Sequence, residues 1–212
     1  MRPALTLCLL ALAAGCGHHV GDTCATNVDC SPLGDRFCDV ASPSGYCTIE
    51  GCDVRLDTSG NQVDSCQAAA SESVCVRFFS LLACKPCNPQ NPGASCAADE
   101  ICLCDNTEPS TAPMCSAPPA STVPASQQCH VPDGGTIEGS GPGGDVFAGK
   151  LGHCAKQSSE RRWCMLKCNS DSDCRSGGYH CVAPGTDGAE PVPRPPSGVG
   201  DYSQRFCVYT GT

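Results

Sequence analysis

The eleven residues CMLKCNSDSDC, 164–174, hold three cysteines in one short span, with Asp171 and Asp173 leading into the last of them. The C-x5-C step from Cys168 to Cys174 is followed by Cys181 and, further on, by Cys207. The same step stands near the other end of the chain, where Cys24-ATNVD-Cys30 is followed by Cys38, Cys47 and Cys52. Both copies place an Asp (Asp29, Asp173) directly before the second Cys. Both carry a third Cys seven or eight positions later, with an aromatic residue one or two places ahead of it. This is a divergent internal repeat. A third C-x5-C, Cys96-AADEI-Cys102, lies in a central cluster with Cys66, Cys75, Cys84, Cys87, Cys104 and Cys115. Cys129 and Cys154 separate that cluster from the last one, which opens at Cys164.

The composition says what such cysteines are for. The chain has 212 residues with 22 Cys, 18 Pro and 23 Gly, but only one Trp, four Tyr and five Phe. A cysteine content near 10% marks a disulfide scaffold and a compartment in which disulfides persist, which excludes cytosolic and nuclear roles. With so few large apolar side chains the core is thin, and each crosslink adds about 2–4 kcal/mol that burial does not supply. The expected fold is a set of small disulfide-rich, loop-dominated modules with short β-hairpins and at most one or two short helices. Residues 155–168, AKQSSERRWCMLKC, form the one plausible longer helix, with Trp163, Leu166 and the cysteines on one face. Short strands are expected at 73–82 and 204–209. The net charge of −9, without a basic stripe, argues against nucleic acid as a partner.

The N-terminus reads as an export signal: Arg2, then apolar residues 4–14 interrupted only by Thr6, then small residues up to Gly15. As a helix this run covers about 16 Å, against roughly 30 Å of hydrocarbon, so it is too short to stay in the membrane as a span. Two processing routes compete. Ala11-Leu12-Ala13 fits ordinary cleavage after a small residue, whereas LAAGC, 12–16, resembles the lipobox of bacterial lipoproteins, in which the Cys is acylated and becomes the first residue. Parity favours the lipobox. The 22 cysteines fall to an even 20 if Cys8 leaves with the signal and Cys16 carries lipid, while ordinary cleavage leaves an odd thiol. The twenty named above are then the expected disulfide-forming residues.

The expected layout is a signal peptide at 1–15, a lipidated tether at 16–23, Cys-rich modules at 24–63 and 64–118, a Pro/Ser/Gly-rich linker at 119–149, and a third module at 150–212. Six cysteines follow residue 149 and fourteen lie between 17 and 149, so each portion has an even number and is expected to close its own bridges. The Pro/Gly-rich stretch 182–200, lying between Cys181 and Cys207, is expected to be a loop closed by a disulfide.

At Cys164-MLK-Cys168-NS-Asp171-S-Asp173-Cys174 the chain resembles two families of extracellular disulfide modules, the whey acidic protein type and the cysteine-rich regions of Dickkopf-like proteins. It also resembles the cysteine-rich lipoproteins of large-genome Gram-negative bacteria, which join a lipobox to this kind of module. The whey acidic resemblance lacks that family's adjacent Cys-Cys pair, so inhibition of proteases does not transfer with it. The lipoprotein resemblance implies acyl chains such as palmitate on Cys16, and Gly17 in place of Asp implies the outer membrane, facing the periplasm or the cell surface. A plain secreted protein is the alternative.

Other chemistries have weaker warrants. N-S-D-S-D opens like a calcium loop, but Cys174 and His180 stand where that loop needs Gly and Glu; the simpler role for Asp29, Asp171 and Asp173 is to accept backbone N–H groups and shape the turn. Cys84-KP-Cys87 resembles a redox motif or half a zinc site, yet it lacks the strand-helix framework, and an oxidising compartment removes free thiolates. No catalytic motif is present, and His18, His19, His130, His153 and His180 are scattered. No enzyme, cofactor or metal is expected. The expected function is a lipid-anchored envelope protein acting as a binding, adhesive or structural module, with a protein or cell-surface ligand as partner and the membrane held through the lipid. A protease-inhibitor-like protein using 182–200 as its reactive loop is one alternative, and an envelope enzyme with an unrecognised site is another.

Overall fold

The computed structural model describes residues 18–87, 93, 95–104, 152–196 and 201–211. The expected signal peptide at 1–15 and linker at 119–149, with Cys16, Cys115, Cys129 and His130, lie outside the described residues. Within them the fold has two short helices, α1 (Asn27–Cys30) and α2 (Ser65–Ala69), and a series of short strands joined by turns and disulfides. It is a small, disulfide-rich, loop-dominated β fold, as the composition requires.

The centre is a five-stranded antiparallel sheet. Its middle strand β9 (Arg161–Cys168) pairs on one side with β5 (Ser73–Phe78), in register Cys75↔Cys164 and Val76↔Trp163. On the other side β9 meets β12 (Arg205–Tyr209), which pairs with β10 (Tyr179–Val182). The far edge is β11 (Ala189–Pro191), laid against β5. Two β-branched residues, Val74 and Val76, are fully enclosed on β5, and Phe206 on β12 is fully buried beside them. Val20, Tyr46 and the cysteines Cys52, Cys66, Cys75 and Cys164 complete this core. Sulfur therefore does much of the filling that large side chains do elsewhere.

A second sheet of three strands has β8 (Gly152–Lys156) between β6 (Leu81–Cys87) and β7 (Glu100–Cys104). Gly152 is required here: a Cβ would lie 2.6 Å from the Cys102 sulfur and 3.0 Å from the Cys87 carbonyl oxygen, where the Cys87–Cys102 disulfide crosses the strand. Two hairpins stand outside these sheets. One pairs β1 (Phe37–Cys38) with β2 (Cys47–Thr48), the other β3 (Val54–Leu56) with β4 (Gln62–Asp64). Asp64 caps α2, its Oδ1 accepting from the N–H groups of Cys66 and Gln67.

Three expectations are corrected. Residues 155–168 are not a helix: they end β8, make a single 3-10 turn at Gln157–Ser159 and form β9. Residues four apart share a face in a strand as well as in a helix, so the Cys164/Cys168 spacing does not tell the two apart. Pairing with β5 and β12 decides it. The six cysteines after residue 149 do not close among themselves either, because Cys154 bonds Cys96 and Cys164 bonds Cys66. The 24–63 and 64–118 segments are likewise joined, through Cys52–Cys75 and the β3–β4 hairpin. Residues 182–200 do lie within a disulfide-closed segment, because Cys174 bonds Cys207; Cys181, which faces Cys207 across β10 and β12, bonds Cys168.

Candidate functional site

The repeat becomes a repeated structure. In the N-terminal frame, bonds join Cys24 to Cys38 and Cys30 to Cys47; in the C-terminal frame they join Cys168 to Cys181 and Cys174 to Cys207. First bonds third and second bonds fourth in both. The third and fourth cysteines sit opposite each other in an antiparallel pair, Cys38↔Cys47 and Cys181↔Cys207. The acids repeat with them. Asp29 Oδ2 accepts from the N–H groups of Ala25 and Thr26 at 2.9 and 2.8 Å, and Asp173 Oδ2 accepts from those of Asn169 and Ser170 at 2.8 and 3.0 Å. Asn27 Oδ1 accepts from the Cys38 N–H at 2.9 Å, and its counterpart Asp171 accepts from the Cys181 N–H at 2.8 Å.

These bonds hold all three carboxylates below their ordinary range. For Asp29 the Ala25 N–H is the main cause, for Asp173 the Asn169 N–H, and for Asp171 the Cys181 N–H followed by His180. One oxygen of each carboxylate, Oδ2 of Asp29 and Asp173 and Oδ1 of Asp171, is thus engaged in forming the turn.

Of the twenty predicted cysteines, sixteen form the eight disulfides of the described residues, the last two being Cys87–Cys102 and Cys96–Cys154. Cys84 and Cys104 lie on β6 and β7. Cys87 of the C-x-x-C pair is bonded to Cys102. Among the histidines, His19 Nδ1 lies 3.0 Å from Glu72 and His180 Nδ1 lies 3.1 Å from Asp171.

Several polar groups were not legible as sites. Glu190 on β11 is buried and paired with Arg77 at 2.9 Å; burial pushes its carboxyl up while Arg77 opposes the shift. Glu100 on β7 receives Lys85, the Ala97 N–H and, at 3.1 Å, Lys156, which bring its carboxyl down to about 2. Arg175 stacks over Tyr179 at 3.9 Å and over Tyr46 at 5.4 Å and donates to the Pro43 carbonyl, so it clamps the two frames together. A shallow, open depression is lined by Glu50, Gly51, Glu160, Arg161 and Arg162.

The 182–200 stretch, considered above as a presented loop, goes inward over its first half. Ala189, Glu190, Pro191 and Val192 are buried against β5. Among the described residues the most exposed large apolar side chains lie on the N-terminal frame, where Val28, Leu33 and Val40 are 70%, 92% and 71% exposed, against 40% for Leu56 and 41% for Tyr209. The available signal was aliphatic residues set among Asp, Ser and Gly in turns. No helix of the described residues is long and apolar enough to cross a membrane.

The chain matches no protein-family model, no curated protein and no solved structure at a significant level. The fold itself defines the class: a disulfide-rich, loop-dominated β protein of the kind made for export into an oxidising compartment.

Proposed function

We propose that the chain is a lipid-anchored cell-envelope protein, held through Cys16, whose disulfide frames act as a binding, adhesive or structural module. The observation that carries this reading is the LAAGC segment at 12–16 taken with the cysteine count, which, once Cys8 leaves with the signal, is even only when Cys16 is withdrawn from disulfide pairing. The described structure is in keeping with it: sixteen of the remaining twenty cysteines are in disulfides, and the folded body begins close behind Cys16, with Val20 already buried. Gly17 after the acylated residue favours the outer membrane, by resemblance to Gram-negative lipoproteins. Two or more acyl chains give a stable anchor where a single chain binds only marginally. A protease-inhibitor role is less favoured, because residues 189–192 are built into the sheet edge.

Metabolic labelling with an alkyne fatty acid tests the anchor. The wild-type protein takes up label and partitions into detergent, and Cys16→Ser loses both. Recovery of a soluble mature protein beginning at Ala14 overturns the reading. For the binding role, cross-linking in the native envelope recovers a protein or cell-surface ligand; capture of nothing beyond lipid leaves the structural role.

A further inference from the structure

We propose that the turns of the N-terminal frame, carrying Val28, Leu33 and Val40, rest against the surface of the bilayer that holds the acyl chains of Cys16. This rests on the anchor reading above. The first argument is reach. Only Gly17 separates Cys16 from His18, so the acylated residue lies within about 7 Å of His18 along the chain. His18 is fixed to the frame: its carbonyl accepts from Arg36 Nη1, in the same turn region as Leu33. Just beyond it, Val20 is buried, the Gly21 N–H donates to the Cys47 carbonyl, and the Cys47 N–H donates to the Asp22 carbonyl. No slack chain is left to lift the frame from the membrane.

The second argument comes from the repeat. Val28 corresponds to Ser172 in the C-terminal frame, and Leu33, three residues past the second Cys, corresponds to Gly177. The frame closes with the same bonds in both cases, so its geometry does not need aliphatic side chains at these positions. They are nevertheless present in the frame beside the anchor and are left to solvent. The third argument is charge. Asp29, Asp35 and Asp39 would repel a lipid surface if they faced it freely, but each is turned into its own loop: Asp29 to two N–H groups, Asp35 to the Ser31 hydroxyl, Asp39 to the Ala41 N–H and the Ser42 hydroxyl. The frame still carries more acid than base, so the contact is apolar and suits zwitterionic headgroups better than anionic ones.

The test uses the acylated full-length mature protein in phosphatidylcholine vesicles with brominated acyl chains. An environment-sensitive fluorescent amino acid replaces residue 33, 40 or, as a control on the C-terminal frame, 209. Mass analysis of the N-terminal peptide first establishes acylation; its absence defeats the anchor reading and this proposal with it. On acylated, vesicle-bound protein, quenching at 33 and 40 should exceed that at 209 by about twofold or more. The double variant Leu33→Asp/Val40→Asp should stay on the vesicles through its lipid while a probe at position 28 loses its quenching. Equal quenching at 33, 40 and 209 overturns the proposal and leaves the anchor standing. Shielding of 33 and 40 in the non-acylated Cys16→Ser protein, in buffer with neither vesicles nor detergent, also overturns it, since protein would then cover them.

Discussion

The two frames share four cysteines, an Asp-fixed turn and an antiparallel closing pair, yet they occupy different places in the molecule. Between the third and fourth Cys the N-terminal frame has eight residues, 39–46, and the C-terminal frame has twenty-five, 182–206. The short insertion makes a tight turn and leaves the N-terminal hairpin outside the main sheet. The long one carries β11 to the far edge of the sheet and returns as β12, whose Phe206 is fully buried. The difference teaches that the cysteine-and-Asp pattern specifies a local turn, while the length and apolar content of the insertion decide whether the frame adds strands to the main sheet; the short insertion still gives Tyr46 to the core.

The largest effect should come from a bond that belongs to neither frame. Cys66–Cys164 spans 98 residues and Cys24–Cys38 spans 14. By loop-closure entropy the first contributes about 5 kcal/mol and the second about 3. The pair Cys66→Ser/Cys164→Ser should therefore prevent accumulation of exported protein, whereas Cys24→Ser/Cys38→Ser should give a folded protein of lower Tm. Equal Tm losses would remove the distinction between a core bond and a frame bond.

Arg77→Met separates the frames next. It leaves the Glu190 carboxylate buried without its partner, a loss of about 3 kcal/mol in such settings. Hydrogen exchange should quicken at 189–192 and stay unchanged at 24–47; quickening at both would mean the insertion is not an independent layer. Gly45→Ala acts on the other frame. Gly45 has φ of +64°, and a Cβ there would lie 2.0 Å from the Cys24 carbonyl oxygen. Its counterpart two residues before the fourth Cys is Arg205, so the tight approach is private to the N-terminal frame. A cost on the order of 2 kcal/mol is expected, localised to 18–47 by exchange.

The smallest effect is acid dependence. Asp29, Asp171 and Asp173 have folded values below their unfolded ones, so their contribution is present above the unfolded value and is lost as pH falls through the folded one. Glu190, pushed up by burial, has the opposite sign: its contribution is present at low pH and is lost as pH rises through its folded value. Asp171→Asn gives the C-terminal frame the neutral acceptor that Asn27 supplies in the other. Acid titration of exchange at the Cys181 amide should then flatten towards that at Cys38; an unchanged profile would show that Asp171 does not set it.

The frames were legible in the sequence because C-x5-C with an Asp before the second Cys describes a local turn, and local bonds make local structure. The disulfide-rich class was legible from composition. What escaped were the long-range choices. Cys164 and Cys168 are four apart on one strand, which looks like a helical stripe, and nothing near Cys164 announces Cys66 as its partner. Even cysteine counts on both sides of residue 149 permitted self-closure without requiring it. The inward turn of 182–200 was hidden because Pro- and Gly-rich sequence reads as surface, whereas Ala189 and Val192 supply just enough apolar character to seat an edge strand on β5.

Disulfide mapping tests the central claim, that one covalent core binds both frames, most directly. The protein is denatured without reductant, thiol-blocked and digested with trypsin, and the linked peptides are sequenced by mass spectrometry. The account predicts residues 56–77 joined to 163–167 through Cys66 and Cys164 and Cys96 joined to Cys154, while 168–175, 176–205 and 206–212 stay together as a separate set through Cys168–Cys181 and Cys174–Cys207. A protein in which the six cysteines after residue 149 are linked only to one another would contradict it.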